Sequence, residues 1–369
     1  MKILLECFIP IESGPIFTIG LAKALIHNGV DVYALLVDNI ENLSEWNSIL
    51  DKNHLCLYQG SVSFKRNPLK KAVDYFKIWN FFKGIKFDFW LDTFPTGTSM
   101  KVSHFIKSDE SMGIAHDVIP HSSVAEKDSR RTELYLNKFD NLVVLSRSYI
   151  PLVMEKYSLT SDHVIYLRHG ALEYPIVNRL CESKNTQTTN FLYFGRIDGY
   201  KGLHILATAY KKLTEKYNNV TLTIAGSGDF SDYKEEYSSL TNCRIINKYL
   251  QDDDIAELFG KKNTIVTLPY IDATQSGVIS MALFYEKPVI VSDTGGLREQ
   301  LFNGEMGIFV KPNDSTDLYN KMECFLQDKM LYEKQTKLME IGHKKSTWNY
   351  CVKEFLDNIK KASTDRDLG

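Results

Sequence analysis

An arginine and a lysine flank a short glycine-bearing loop, Gly195-Arg196-Ile197-Asp198-Gly199-Tyr200-Lys201-Gly202, directly after the apolar run Phe191–Phe194. The guanidinium offers a planar fork of donors and the ammonium a compact point charge, so at a helix entrance Arg196 and Lys201 suit a pyrophosphate. Two further turns sit between apolar runs, Ala273-Thr274-Gln275-Ser276-Gly277 and Thr294-Gly295-Gly296. His116-Asp117 closes the stretch GIAHD. At a strand end such a pair carries a proton or donates to a sugar or phosphate oxygen, although a satisfied structural histidine is the commoner role. The run Asp252-Asp253-Asp254 invites a cation, yet it stands just before an amphipathic segment. There carboxylates cap amide groups and oppose the helix dipole, so no metal site is expected.

These residues need a scaffold that holds loops side by side. Thr264–Leu268 is a β-branched apolar run that reads as a buried parallel strand, followed by the turn at 273–277, a helix Val278–Tyr285 and a strand Pro288–Val291. Such a β-α-β unit presents helix N-termini at the carboxyl edge of a sheet, where anions bind. The same pattern also fits an ordinary structural unit with glycine turns. The rhythm recurs along the chain. Met1–Ile9 reads as a strand, with a turn at Ile11–Pro15, a helix to about Asn28 and a strand Val30–Val37. Only Gly14 and Gly20 are available there, so the G-x-G-x-x-G fingerprint is missing and a dinucleotide cofactor is disfavoured. Gly14 is either a plain turn residue or a point where backbone approaches a phosphate. Strands at Phe87–Leu91, Ser111–Ala115, Asn141–Leu145 and Val164–Leu167 follow. After the polar stretch 181–190 the strand–helix alternation restarts at Phe191–Phe194, Val220–Ala225 and Arg244–Asn247. The expected fold class is α/β, with two Rossmann-like domains facing across a cleft. Residues 1–180 form the first domain, 181–190 a linker and 191–345 the second. A last helix within 346–369 is expected to pack back toward the first.

A length of 369 residues suits two domains, and a net charge of −2 gives no reason to expect a nucleic-acid partner. The six cysteines are scattered without metal-ligand spacing, as reduced thiols of a cytoplasmic protein would be. MKILLECFIP reads as a first strand rather than a signal peptide, and no run is long enough to span a membrane. From Phe64 to Phe89 the chain turns basic and aromatic: Lys65, Arg66, Lys70, Lys71, Lys77, Lys83 and Lys86 interleave with Tyr75, Phe76, Trp79, Phe81 and Phe82. Such a helix either lies at the surface of the domain with its aromatics in the core, or docks on the inner face of the cytoplasmic membrane.

The segment Phe191-Leu192-Tyr193-Phe194-Gly195-Arg196-Ile197 with Lys201-Gly202 closely resembles the F-x-G-R-[IL]…K-G-[LF] signature of retaining glycosyltransferases of the GT-B fold, family 4. The resemblance continues through Thr221–Gly228, Leu268-Pro269-Tyr270 to Gly277, and Pro288–Glu299. It is loose before residue 190, where HDVIP and Leu145-Ser146 are the better matches. It implies that Arg196 and Lys201 hold the diphosphate of a nucleotide-sugar donor (UDP- or GDP-sugar) and compensate charge on the leaving group, without a metal or other cofactor. Gly195 and Gly226 belong to the same signature. Gly14 would approach the phosphates, and His116 with Asp117 would contact donor sugar or acceptor. Ser276, Gly277 and Val278 would present helix N-terminal amides to the nucleotide sugar. The family's spaced pair of glutamates is absent: Ala273 and Met281 stand at those positions, as in a subgroup with an A-T-Q-S-G-V-I loop. Gln275 or Ser276 would then substitute for them. The implied activity is sugar transfer to an acceptor hydroxyl with retention, in assembly of bacterial cell-surface polysaccharide, on a lipid-linked acceptor if the membrane reading holds. A GT-B-like sugar-nucleotide epimerase and a non-catalytic partner subunit share the architecture.

Overall fold

The computed structural model describes residues 1–11, 13–59, 68–116, 118–119, 126–171, 188–328 and 330–368. The chain divides into two compact units. One comprises Met1–Val118, Val124–Gly170 and Thr347–Gly369, the other Ile119–Ser123 and Ala171–Ser346.

The first unit is built on a seven-stranded sheet of β1 (Lys2–Cys7), β2 (Asp31–Val37), β3 (Leu55–Tyr58), β4 (Phe87–Asp92), β5 (Ser108–Ala115), β6 (Asn141–Val144) and β7 (Val164–Tyr166). Its order is β3-β2-β1-β4-β5-β6-β7, and every pairing is parallel. Parallel neighbours require crossovers, and helices such as Ser13–His27 and Pro68–Phe82 supply them. Covered on both faces, the strands are apolar without alternation: Ile3, Leu4, Leu5, Ala34, Leu35 and Leu36 are all buried. The chain winds outward from β1 to β3, then restarts at β4 on the other side. The topological switch point is therefore between β1 and β4.

The second unit repeats the plan with β8 (Thr189–Phe194), β9 (Val220–Gly226), β10 (Cys243–Asn247), β11 (Thr264–Leu268), β12 (Val289–Ser292) and β13 (Ile308–Val310). These six strands lie in the order β10-β9-β8-β11-β12-β13, again all parallel. Its switch point is between β8 and β11. The α/β class with two parallel sheets is thus present as expected. Among the elements that escaped the sequence reading are β3 and the short helix Leu43–Ile49. A four-residue edge strand and two helical turns are too short for either periodicity to register. β8 also begins two residues earlier than expected, so Thr189 and Asn190 are strand rather than linker, while 181–187 fall outside the described residues. The acidic run caps as expected. Asp254 accepts from Gln251 N at 3.1 Å at the start of the helix Asp252–Gly260 and pairs with Lys248 Nζ at 3.0 Å.

The last helix, Trp348–Leu368, belongs to the first unit and buries Trp348, Val352, Phe355 and Ile359 in its core. Trp348 meets Phe17 edge-on at 5.0 Å. Its indole fills the space over two glycines: a Cβ at Gly20 would lie 2.2 Å from Nε1, and one at Gly170 2.4 Å from Cδ2. At the other end, Arg366 Nη2 donates to both carboxylate oxygens of Glu110 at 2.8 Å, and Nη1 donates to Asn141 Oδ1 at 2.7 Å. Gly20→Ala should overpack this contact and destabilise the first unit by about 1–3 kcal/mol. Denaturant unfolding of Gly20→Ala, alone and with Trp348→Phe, checks it, and the smaller ring should return part of the loss.

Candidate active site at the carboxyl edge of the second sheet

The loops after β8, β9 and β11 are held together by backbone so close that glycine is obligatory. Gly195 N donates to Ala225 O at 3.0 Å, and Ile197 N donates to Ser227 O at 2.9 Å. A Cβ on Gly226, at φ +155°, would lie 1.8 Å from the carbonyl oxygen of Gly195. On Gly202, at φ +69°, it would lie 2.0 Å from Pro269 O. Both positive φ values are themselves costly for any other residue. Ile271 N closes the junction by donating to Tyr200 O at 2.8 Å.

The two cations sit differently on this frame. The Arg196 side chain is exposed, while its carbonyl is fixed by the hydroxyl of the fully buried Tyr193 at 2.6 Å. Lys201 is drawn in, its Nζ 3.8 Å from the centre of the Tyr270 ring and 4.7 Å from that of Tyr200. Burial is the largest influence on its ammonium and pulls it below the usual lysine range; the nearby charge of Arg196 acts in the same direction, whereas the Tyr200 hydroxyl and Asp198 oppose it. A cation–π contact contributes only about 0.5–2 kcal/mol, too little to cancel the lost hydration. The loop therefore carries a partly dehydrated ammonium that gains from an arriving anion.

Tyr270 links this loop to the next. It is fully buried, which pushes its phenol up to about 12, and its oxygen lies 3.3 Å from Ser276 Oγ. Ser276 precedes the helix Gly277–Phe284. Gln300 clamps it from the side, with Ser276 N donating to Oε1 at 2.7 Å and Nε2 donating to Ser276 O at 3.3 Å. Ser276's own amide is thus already engaged. The first-turn amides of Gly277 and Val278 lack intrahelical partners and face the helix entrance. Val278 Cγ2 would touch a Cβ on Gly195 at 3.6 Å, so this helix start abuts the Arg196 loop. Gly195, Gly226, Lys201, Ser276, Gly277 and Val278 are therefore gathered at one switch point, with Arg196 and Gln275 beside them in the chain.

Gly14 and His116 are gathered in the first unit, at its own switch point. His116 Nε2 donates to Thr93 O at 2.8 Å, which requires the proton on Nε2, and its ring stacks on Phe94 at 4.1 Å. A Cβ on Gly14 would meet Ile9 Cγ2 at 2.9 Å and Phe94 Cε2 at 3.6 Å. Asp117 lies outside the described residues. Sequence reasoning missed Tyr270 and Gln300 as members of the second cluster. An aromatic directly after a strand, at Leu268-Pro269-Tyr270, was the available signal.

Two doubly wound parallel units, the second with cations and helix starts at its switch point, have the fold of the GT-B glycosyltransferases. A glycosyltransferase from Rickettsia africae has a TM-score of 0.69 at 18% identity, covering 98% of each chain. HepE of Anabaena, solved in complex with UDP and glucose, has 0.69 at 16% identity, covering 100% of each. Residues 181–345 match the model of the family described as Glycosyl transferases group 1. An uncharacterized glycosyltransferase of Methanocaldococcus jannaschii is 30% identical over 140 residues, 37% of this chain and 35% of that protein. Glycogen synthase of Mycobacterium tuberculosis is 25% identical over 196 residues, 51% of this chain and 46% of that protein. The chain thus spans about a third to a half of these relatives' length. These likenesses support the group 1 glycosyltransferase family, and the family model falls within the second unit.

If Lys201 meets an anionic ligand, its depressed pKa should rise on binding, so the complex takes up protons just below the ordinary lysine value of ~10.4. Calorimetry with a nucleoside diphosphate at about pH 9.5, in two buffers of different ionisation enthalpy, should show buffer-dependent heats. Lys201→Met should abolish that dependence.

Proposed function

We propose that this chain transfers a sugar from a nucleoside-diphosphate sugar to an acceptor hydroxyl, with retention and without a metal, in the manner of family 4. The observation that carries the reading is the Arg196–Lys201 loop, with Lys201 held half-buried against Tyr270. Two fixed cations beside the helix start at Gly277 would neutralise the charge growing on a departing diphosphate, and so take the part a metal plays elsewhere. HepE, solved with UDP-glucose, supports a UDP-sugar as donor. A role in cell-surface polysaccharide is supported by relatives at 23–29% identity. They are a lipopolysaccharide 1,2-N-acetylglucosaminetransferase of Salmonella typhimurium and the capsular polysaccharide glycosyltransferase CapM of Staphylococcus aureus. One observation favours the non-catalytic partner reading. Ala273 and Met281, where the family's glutamates would stand, are both buried and apolar.

Calorimetry with UDP, GDP, ADP and CMP, in Mg²⁺ and in EDTA, separates the two. A transferase should bind one diphosphate selectively and equally in EDTA. Arg196→Ala should weaken that binding and lower turnover by about 10²–10³-fold, the usual effect of removing one charge-stabilising donor. Absence of binding to all four would leave the partner-subunit reading in its place.

We place the working position at a membrane surface, on a lipid-linked acceptor. No helix among the described residues is long and apolar enough to cross a membrane. The helix Pro68–Phe82, however, leaves Phe76 62% and Trp79 45% exposed, with Lys83 Nζ 5.3 Å from the Trp79 ring. Exposed aromatics beside lysines suit an anionic lipid interface. Vesicles containing anionic lipid should sediment the protein at low salt, and Phe76→Ser with Trp79→Ser should release it. Failure of the wild type to sediment would refute the placement.

A further inference from the structure

The switch point of the first sheet holds two carboxyl groups that no cation among the described residues pairs with. Glu6, next to last in β1, and Asp92, last in the neighbouring β4, are partners in register and are both fully buried. Parallel neighbours lie about 4.8 Å apart, so their side chains leave the sheet together on one face. Each carboxyl has one satisfied oxygen: Trp90 Nε1 donates to Glu6 Oε2 at 2.8 Å, and Phe94 N donates to Asp92 Oδ1 at 3.1 Å. The other oxygens, Glu6 Oε1 and Asp92 Oδ2, have no hydrogen-bond partner among the described residues. Two charges on adjacent, fully buried carboxyls are prohibitively costly, whereas one proton kept on the pair leaves a single charge.

The turn that follows β4 is tied to the Asp92 carboxyl through Phe94 N and to the main-chain carbonyl of Glu6 through Thr93. Thr93 N and Thr93 Oγ1 both donate to Glu6 O, at 3.0 and 2.8 Å, and the Ser99 hydroxyl lies close enough to favour the ionised form of either carboxyl. The same turn seats His116, through Thr93 O and the stacked Phe94 ring. We propose that Glu6 and Asp92 share a single proton at neutral pH, and that as a positioning pair they hold the turn Thr93–Ser99 and thereby the ring of His116. Loss of that proton sets two like charges against each other, and the turn is what yields.

Other groups bearing on the pair cannot replace the proton. From β1 the Cys7 thiol is pushed up to about 11 by burial and stays neutral. From the helix Ser13–His27 comes the Thr18 hydroxyl, 2.9 Å from Thr93 Oγ1. From the helix Glu126–Leu136 the Tyr135 hydroxyl reaches Gly97. His169 is held neutral by burial, its pKa lowered to about 4. In support, burial raises both carboxyls, Glu6 further through the Asp92 charge. The inference concerns protonation and placement and does not rest on sugar transfer.

The test is carboxyl-carbon NMR on the full chain labelled at Asp and Glu, assigned with Glu6→Gln and Asp92→Asn, alongside the His116 ring signals from about pH 5 to about pH 9. In the wild type one carboxyl of the pair should titrate well above the ordinary range of ~4. The His116 ring should show an inflection at that same pH besides its own, and Asp92→Asn should remove it. If Asp92→Asn does not fold, Glu6→Gln removes the same shared proton and should give the same loss. Two carboxyls titrating in the ordinary range would overturn the shared proton. A His116 profile lacking the second inflection, or keeping it in the variant, would overturn the positioning role. Neither readout requires catalysis, so a failed transferase assay leaves it standing.

Discussion

The carbonyl of Gly195 leaves no room for a side chain at position 226, and the second unit's site depends on that close approach. Because β9 can press its end against the end of β8, the Arg196 loop is held by main-chain bonds rather than by its own side chains. The guanidinium is then left at the surface with its root immobile. A charge on a fixed root loses little freedom when it closes on a ligand, which is the physical meaning of preorganisation. The approach of Pro269 to Gly202 does the same for Lys201 from the other side of the switch point.

The two cations divide the electrostatic work. The Arg196 side chain is exposed, whereas Lys201 has exchanged water for aromatic faces. Tyr270 supplies that face, and its hydroxyl reaches on to Ser276, so one buried ring spans the cationic loop and the helix start. The first unit carries the opposite problem at its own switch point: too much negative charge rather than too much positive.

What the sequence made legible is whatever is local along the chain. Gly195, Arg196, Lys201 and Gly202 sit in one short window, so their types and spacing mark a loop suited to a pyrophosphate before any fold is known. The alternation of apolar strands and helices announced two α/β halves for the same reason. Tyr270 reaches the loop only because β11 lies beside β8, and Gln300 reaches Ser276 from the helix after β12, which lies beside β11; no window of sequence contains such strand order. The Glu6–Asp92 pair was hidden likewise. Glu6 taken alone reads as a polar residue interrupting an apolar strand and Asp92 as one just past a strand, and only the register of β1 on β4 brings them side by side. The amide of Ser276 was legible as a helix-start donor but not as one occupied by Gln300, since a distant side chain decides that.

The first unit is discontinuous in sequence, because its sheet begins at Lys2 but its core closes only when Trp348 covers Gly20 and Gly170. On the ribosome this reverses the usual N-terminal-first order. All of the second unit, through Ser346, has been synthesised before the helix that completes the first unit begins to emerge. Until then Phe17 and the apolar surface around it stand uncovered in the nascent chain. The early-made half is therefore the late-finished one, and it is the half with most need of a chaperone while translation is still under way.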